Sequence, residues 1–175
     1  MPVNAVFPRE NAMDRDLPAI GPTSALLFAE ADRLVPLLAA GAAAADRDRR
    51  LPDATVRALA EAGLFRAAAP VAFGGGGHGP EVLAQVVKRL ARGCGSAAWL
   101  TAVAGMHAWL LGRAPASLAR DALDPERGPL VAAAFGAGGT ATRVADGYQV
   151  QGRWRYLTGI LHAGWAWVVV RLVPP

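Results

Sequence analysis

Cysteine is nearly absent: Cys94 stands alone among 175 residues. That excludes an internal disulfide framework and any CxxC redox or metal motif, and it fits a reducing cytoplasm. Lysine is as scarce, since Lys88 is the one lysine in a basic set of 18. The arginines are scattered and never interleaved with aromatics, so a net charge of +4 and a pI near 10.2 do not make a nucleic-acid face. His78, His107 and His162 show no HxH or HExxH spacing, so no metal site is expected. Gly93-Cys94-Gly95-Ser96-Ala97 misses the GxSxG elbow, and Ser96 reads as a helix cap. The glycines of 73–79 lack the GK[ST] and GxGxxG contexts of a phosphate loop. No pair of acids stands out. What remains is chemistry brought by a cofactor, or none.

Two further absences bear on location. No secretory leader is expected, because the apolar stretch Ala25–Phe28 is short and Asp14 and Asp16 sit where basic residues belong. The stretch Gly93–Gly112 has no charge over 20 residues, but four glycines, Ser96, Thr101 and His107 interrupt it. It reads as a buried core helix rather than a membrane span. A cytoplasmic protein without membrane contact is expected.

What is present is a packed chain, 53% hydrophobic and 18% charged, long enough for one domain plus part of another. Residues 1–23, with four prolines, read as an irregular arm. Helical spacing begins near Thr23 or Ser24, and Pro36 is expected to kink or split that first helix. Leu51-Pro52-Asp53 starts a second helix ending at Gly63, Pro80 a third and Ser96 a fourth running to about Leu111; a short helix covers 115–123. After Pro129 the period changes. Leu130–Phe135 reads as an apolar run, 136–139 as a loop, and 140–144 as a strand leading into an Asp146-Gly147 hairpin turn. The predicted fold class is α+β: an all-α domain over 24–127, then an incomplete antiparallel β-barrel over 128–175.

The stretch Asp146–Val170 holds the densest chemistry. Tyr148 and Val150 alternate with Gln149 and Gln151, then Trp154-Arg155-Tyr156-Leu157-Thr158-Gly159 precedes a strand carrying Trp165 and Trp167. Aromatics flanking one hydroxyl on a sheet form a wall for a flat ligand. His107, beside Trp109 and Leu110, is either a core histidine or a proton acceptor.

In order, Leu51-Pro52-Asp53, Leu59-Ala60-Glu61-Ala62-Gly63-Leu64-Phe65 and Pro70-Val71-Ala72-Phe73-Gly74-Gly75 resemble the N-terminal helical domain of the acyl-CoA dehydrogenase family. Gly95-Ser96-Ala97-Ala98-Trp99 with His107 resembles its flavin-dependent hydroxylase branch, the two-component monooxygenases. Trp154 to Gly159 is similar to that branch's Trp-x-Phe-x-Ser-Gly. The resemblance implies a flavin cofactor, FMN or FAD, delivered by a separate reductase, and an aromatic or phenolic substrate. Tyr156 and Thr158 match positions flanking the flavin ring, with Trp154 beside them. The segment 135–141 matches one lying along flavin and substrate, with Phe135, Gly139 and Thr140 as candidate contacts and Ala137 where a proline is usual. His107 matches a histidine that assists deprotonation of the substrate hydroxyl, and Trp99 would line the pocket. The family adds a larger barrel and a C-terminal helical bundle that makes a homo-oligomer. The chain is therefore expected to be a fragment of a longer product or a remnant without catalysis. Two rivals stand beside this reading: an acyl-CoA dehydrogenase proper, disfavoured by Trp154 where lysine is usual, and a truncated non-catalytic interaction module.

Overall fold

The computed structural model describes residues 22–174; the expected N-terminal arm lies, through residue 21, outside them. Alanines and leucines three and four apart form α1 (Pro22–Asp48), burying Ala31, Leu34 and Leu38. Pro36 neither ends nor divides this helix, which runs through it for 27 residues. The missing backbone bond costs about 3 kcal/mol, and the buried leucines on either side offset it.

α2 (Asp53–Glu61) starts after Pro52 and buries Val56 and Leu59. It stops where Gly63 takes a left-handed φ of 71°, a conformation that a side chain would strain. Leu64 and Phe65 then turn inward in a short 3₁₀ segment. α3 (Pro80–Leu90) lays Val82, Val86 and Leu90 on the same core. α4 (Gly95–Leu111) is the central element. It buries Leu100, Thr101, Ala104, His107 and Leu111, and its Thr101 hydroxyl is satisfied by the Ala97 carbonyl at 2.9 Å. Among the described residues no helix is long and apolar enough to cross a membrane. Ser96 does not cap it; the helix begins one residue earlier, with Cys94 at the cap position and no side-chain bond. α5 (Ala116–Ala122) closes the helical part.

Three strands follow, in the order β2-β1-β3: β1 (Val131–Val144), β2 (Gly147–Gly152) and β3 (Trp165–Val173). The α+β class stands, with two differences in the sheet. First, residues 136–139 are not a loop. β1 runs through them, with register shifts against β3 between Ala134 and Ala137 and between Ala137 and Thr140. Bulges absorb the extra residues, and glycine tolerates them well. Second, the sheet is mixed rather than antiparallel. β1 and β2 are antiparallel, but β3 lies parallel on the other side of β1, because the chain crosses over β1 before returning. The hairpin also turns one residue early, through Ala145 and Asp146, with Val144 paired to Gly147. Where the chain enters β1 and β3, a Cβ on Gly164 would overlap the Arg127 carbonyl, so only glycine fits there.

The main cluster joins Leu34, Leu59, Phe65, Val86 and Leu100, and it includes Leu130 at the mouth of the sheet. Leu59 is wholly buried in it. Leu59→Ala is expected to lower unfolding free energy by about 2–5 kcal/mol in a denaturant titration.

Candidate functional site

Residues 153–164 connect β2 to β3 and carry Trp154 and Tyr156. The Trp154 indole N–H donates to the Val169 carbonyl at 2.9 Å, which pins the ring across the sheet. Tyr156 follows in a left-handed backbone conformation, φ 62°, with 93% of its surface exposed. That conformation is uncommon for a residue with a bulky side chain. Thr158 N–H bonds back to the Tyr156 carbonyl at 2.9 Å, and the Thr158 hydroxyl accepts from the Trp99 indole N–H at 3.4 Å. Gly159, just beyond, packs against Leu100 and Leu130. The segment is thus seated on α4 at one point and on β3 at another.

Cavities flank it. One of about 450 Å³ runs from Ala133 to Gly138 along the bulged part of β1 and is bounded by Trp154 and Tyr156. A second, about 510 Å³, lies on the Thr158 side of the same two rings. A third, about 550 Å³, opens between the C-terminus of α1 and the N-terminus of α4, with Trp99 and Thr158 in its lining.

His107 lies elsewhere on α4, eight residues or roughly 12 Å along the axis from Trp99. It is 2% exposed, with Nδ1 2.9 Å from the Val131 carbonyl. Such a contact makes Nδ1 the protonated nitrogen and leaves the lone pair on Nε2. Burial pushes the imidazole below the usual histidine range, only partly opposed by the Val131 carbonyl, so the neutral form is favoured. The Phe135 ring meets it edge-on at 5.7 Å, and Trp167 meets Phe135 in the same way at 5.6 Å.

The structure therefore sorts the candidate residues into groups. Trp99 and Thr158 touch; Phe135, Trp154 and Tyr156 line one cavity; His107 joins that side through Phe135. Gly139 and Thr140 stand apart. Gly139 is paired with Gly152 beneath the Trp154 ring, and Thr140 is paired with Gln151 and Arg171; neither lines the cavity beside Phe135. Sequence reasoning missed Trp167 as the partner of Phe135. It also missed His162, 8% exposed at its side chain, which sets Nδ1 3.2 Å from Asp53 and ties the connection to α2. Nothing local in the sequence joins those two positions.

Helices packed around α4, running into a sheet whose first strand is bulged and glycine-rich, define the acyl-CoA dehydrogenase-like class. Residues 30–116, just under half of the chain, match the family described as acyl-CoA dehydrogenase, N-terminal domain. The oxygenase subunit HsaA of a flavin-dependent monooxygenase from Mycobacterium tuberculosis is 31% identical over 142 residues, which is 81% of this chain and 36% of HsaA. The oxygenase component of an FADH(2)-dependent resorcinol hydroxylase from Rhizobium sp. is 28% identical, over 73% of this chain and 31% of that protein. Among solved structures, XiaF from Streptomyces sp. in complex with FADH2 and glycerol aligns with a TM-score of 0.80 at 33% identity, covering 86% of this chain and 38% of XiaF. The crystal structure of M. tuberculosis HsaA aligns with a TM-score of 0.78 at 29% identity, covering 86% and 41%. The chain spans about a third of the length of the curated relatives it matches.

Two histidines give the fold an acid limit. His107 and His162 both lie below the ordinary value of 6.5, chiefly through burial. The unfolded chain then binds more protons than the folded one below about pH 6.5, so stability is lost as pH falls from there through the folded values. The urea midpoint is expected to drop between pH 7 and 5.5, and to drop less steeply in His107→Gln; an unchanged slope would count against the buried neutral imidazole.

Proposed function

We propose that this chain forms one wall of a reduced-flavin site in a two-component monooxygenase that hydroxylates an aromatic, phenolic substrate. The observation that carries the reading is Tyr156. An aromatic ring is held out from the sheet on a left-handed backbone, between a pinned indole and a threonine hydroxyl, with cavities on both sides. Polar contact at one point and flat apolar surface around it suit a planar heterocycle with one polar edge. The relatives named above, one solved with FADH2, support the same assignment. FMN or FAD, supplied reduced by a separate reductase, would bring the activation of dioxygen.

The chain's own residues would do the rest. Trp154, Tyr156 and Phe135 give the ring an apolar face, and the strip Gly136–Gly138 lets backbone approach it closely. Thr158 offers its hydroxyl to the polar edge, with Trp99 fixing the oxygen from behind. His107 is the group we assign to the phenolic proton, taken at Nε2. Phe135, whose ring edge lies on the imidazole, must turn aside for a phenol to reach that nitrogen. Trp99 borders the substrate side. A homo-oligomer belongs to the same proposal.

The test is an anaerobic titration of the chain with reduced FMN and reduced FAD. Binding of one of them is expected, weakened about ten-fold (about 1.4 kcal/mol) in Tyr156→Ala and in Thr158→Val. No affinity for either reduced flavin would overturn the reading, as would affinity indifferent to both substitutions.

A further inference from the structure

Phe135 sits in the bulge of β1. Ala134 is paired with Val168 and the next pair on that side is Ala137 with Val169, while β2 pairs with β1 only from Gly139 onward. Phe135 and Gly136 therefore stand outside both ladders, and a bulge of this kind re-aims a side chain. The Phe135 ring has two aromatic neighbours. One is the His107 imidazole, 5.7 Å between ring centres and 71° between planes. The other is the Trp167 indole, at 5.6 Å and 76°. Trp167 is paired with Ala133, two residues before Phe135, which sets both rings on one face of the sheet.

This cluster of rings lacks one donor. His107 is 2% exposed and commits Nδ1 to the Val131 carbonyl. Among the described residues its Nε2 has no hydrogen-bond partner, and a buried acceptor without a donor is costly. The Phe135 ring has only C–H groups to offer it. Phe135 is also lightly held, with 51% of its surface exposed. Beside it lies open space, since a Cβ on Gly136 would meet nothing within 4 Å. A benzene ring bearing a hydroxyl would make the same edge-on contacts and supply the missing donor.

We propose that Phe135 stands in for the substrate: the position beside His107 and Trp167 is a subsite for one phenolic ring, which Phe135 fills until the substrate displaces it toward the space at Gly136. The phenol donates its O–H to Nε2 of His107, and Trp167 meets its ring as it now meets Phe135. Other parts of the substrate extend to the open side of Phe135. The inference rests on the monooxygenase reading and deepens it. It places the substrate ring, and it adds Trp167 as a contact that selects for an aromatic ring.

The probes are phenol and toluene, rings of nearly equal shape, titrated without flavin and followed through the imidazole C–H proton resonances. His107→Gln identifies the His107 signal by its loss. In Phe135→Ala, phenol is expected to shift that signal at about one-tenth of the concentration that the unsubstituted chain needs, because the competing ring is gone. Toluene is expected to bind that variant about five-fold more weakly than phenol. Without the bond to Nε2 the order reverses, since toluene is the less hydrated ring. Adding Trp167→Leu to Phe135→Ala is expected to weaken phenol about three-fold. Phe135→Val serves the same comparison where Phe135→Ala does not fold. No gain from removing Phe135, toluene binding as tightly as phenol, or indifference to Trp167→Leu would each overturn the inference, and reduced-flavin binding would still stand on its own titration. Phenol bound as expected by a chain with no affinity for reduced flavin would support the subsite and remove the hydroxylation assigned to it.

Discussion

The packing of α4 against the first residues of β1 is the contact on which the rest of the structure depends. A three-stranded sheet with an entirely exposed β2 buries too little to stand alone. Its anchorage is the stretch Val131–Ala134, buried throughout, and α4 supplies the surface that buries it. An uncharged helix is what this needs, because it is covered by α1 and α3 through one side and by the sheet through another. The polar group at that seam is His107, and its bond to the Val131 carbonyl ties the helix to the first residue of β1. Helix and sheet are thereby held in one orientation, which fixes where the aromatics of 153–164 can stand.

Much of this was legible because some residues are chemically loud. Gly63 announces a helix end, and the structure gives it the left-handed backbone that only glycine takes cheaply. Trp154 to Gly159 is unlike ordinary surface strand in composition, and it lies in the connection between β2 and β3 with Tyr156 exposed. The uncharged run of α4 reads correctly as core. Less legible was anything decided by pairing rather than by composition. The glycines of 136–139 have the composition of a loop, but hydrogen bonding to strands on both sides carries β1 through them. Pro36 looks like a break, yet buried leucines around it outweigh one lost bond. Ser96 has the chemistry of a cap and is passed over because the helix starts before it.

The site residues show the same division. Aromatic and hydroxyl groups close in sequence, Trp154 through Thr158, could be grouped by eye. Trp99 and His107 share a helix but serve different contacts, one against Thr158 and one against Val131 and Phe135, since eight residues turn a helix partly away from its starting face. The ring chain from His107 through Phe135 to Trp167 spans three elements and has no linear signature.

The 2-1-3 strand order has one more consequence. β2 ends opposite Gly139 and β3 begins opposite Val131, on the other side of β1. Residues 153–164 must therefore cross β1 and travel back along it, a distance of eight strand positions or roughly 26 Å. The crossover and the aromatic wall are the same twelve-residue stretch. Extended, twelve residues would reach well beyond that distance, and the surplus is taken up in the left-handed turn at Tyr156 and the 3₁₀ segment Ile160–His162. Side-chain exchanges can retune the wall without disturbing the crossover, whereas a change of length shifts both of its seats at once, the one on Trp99 and the one on Val169.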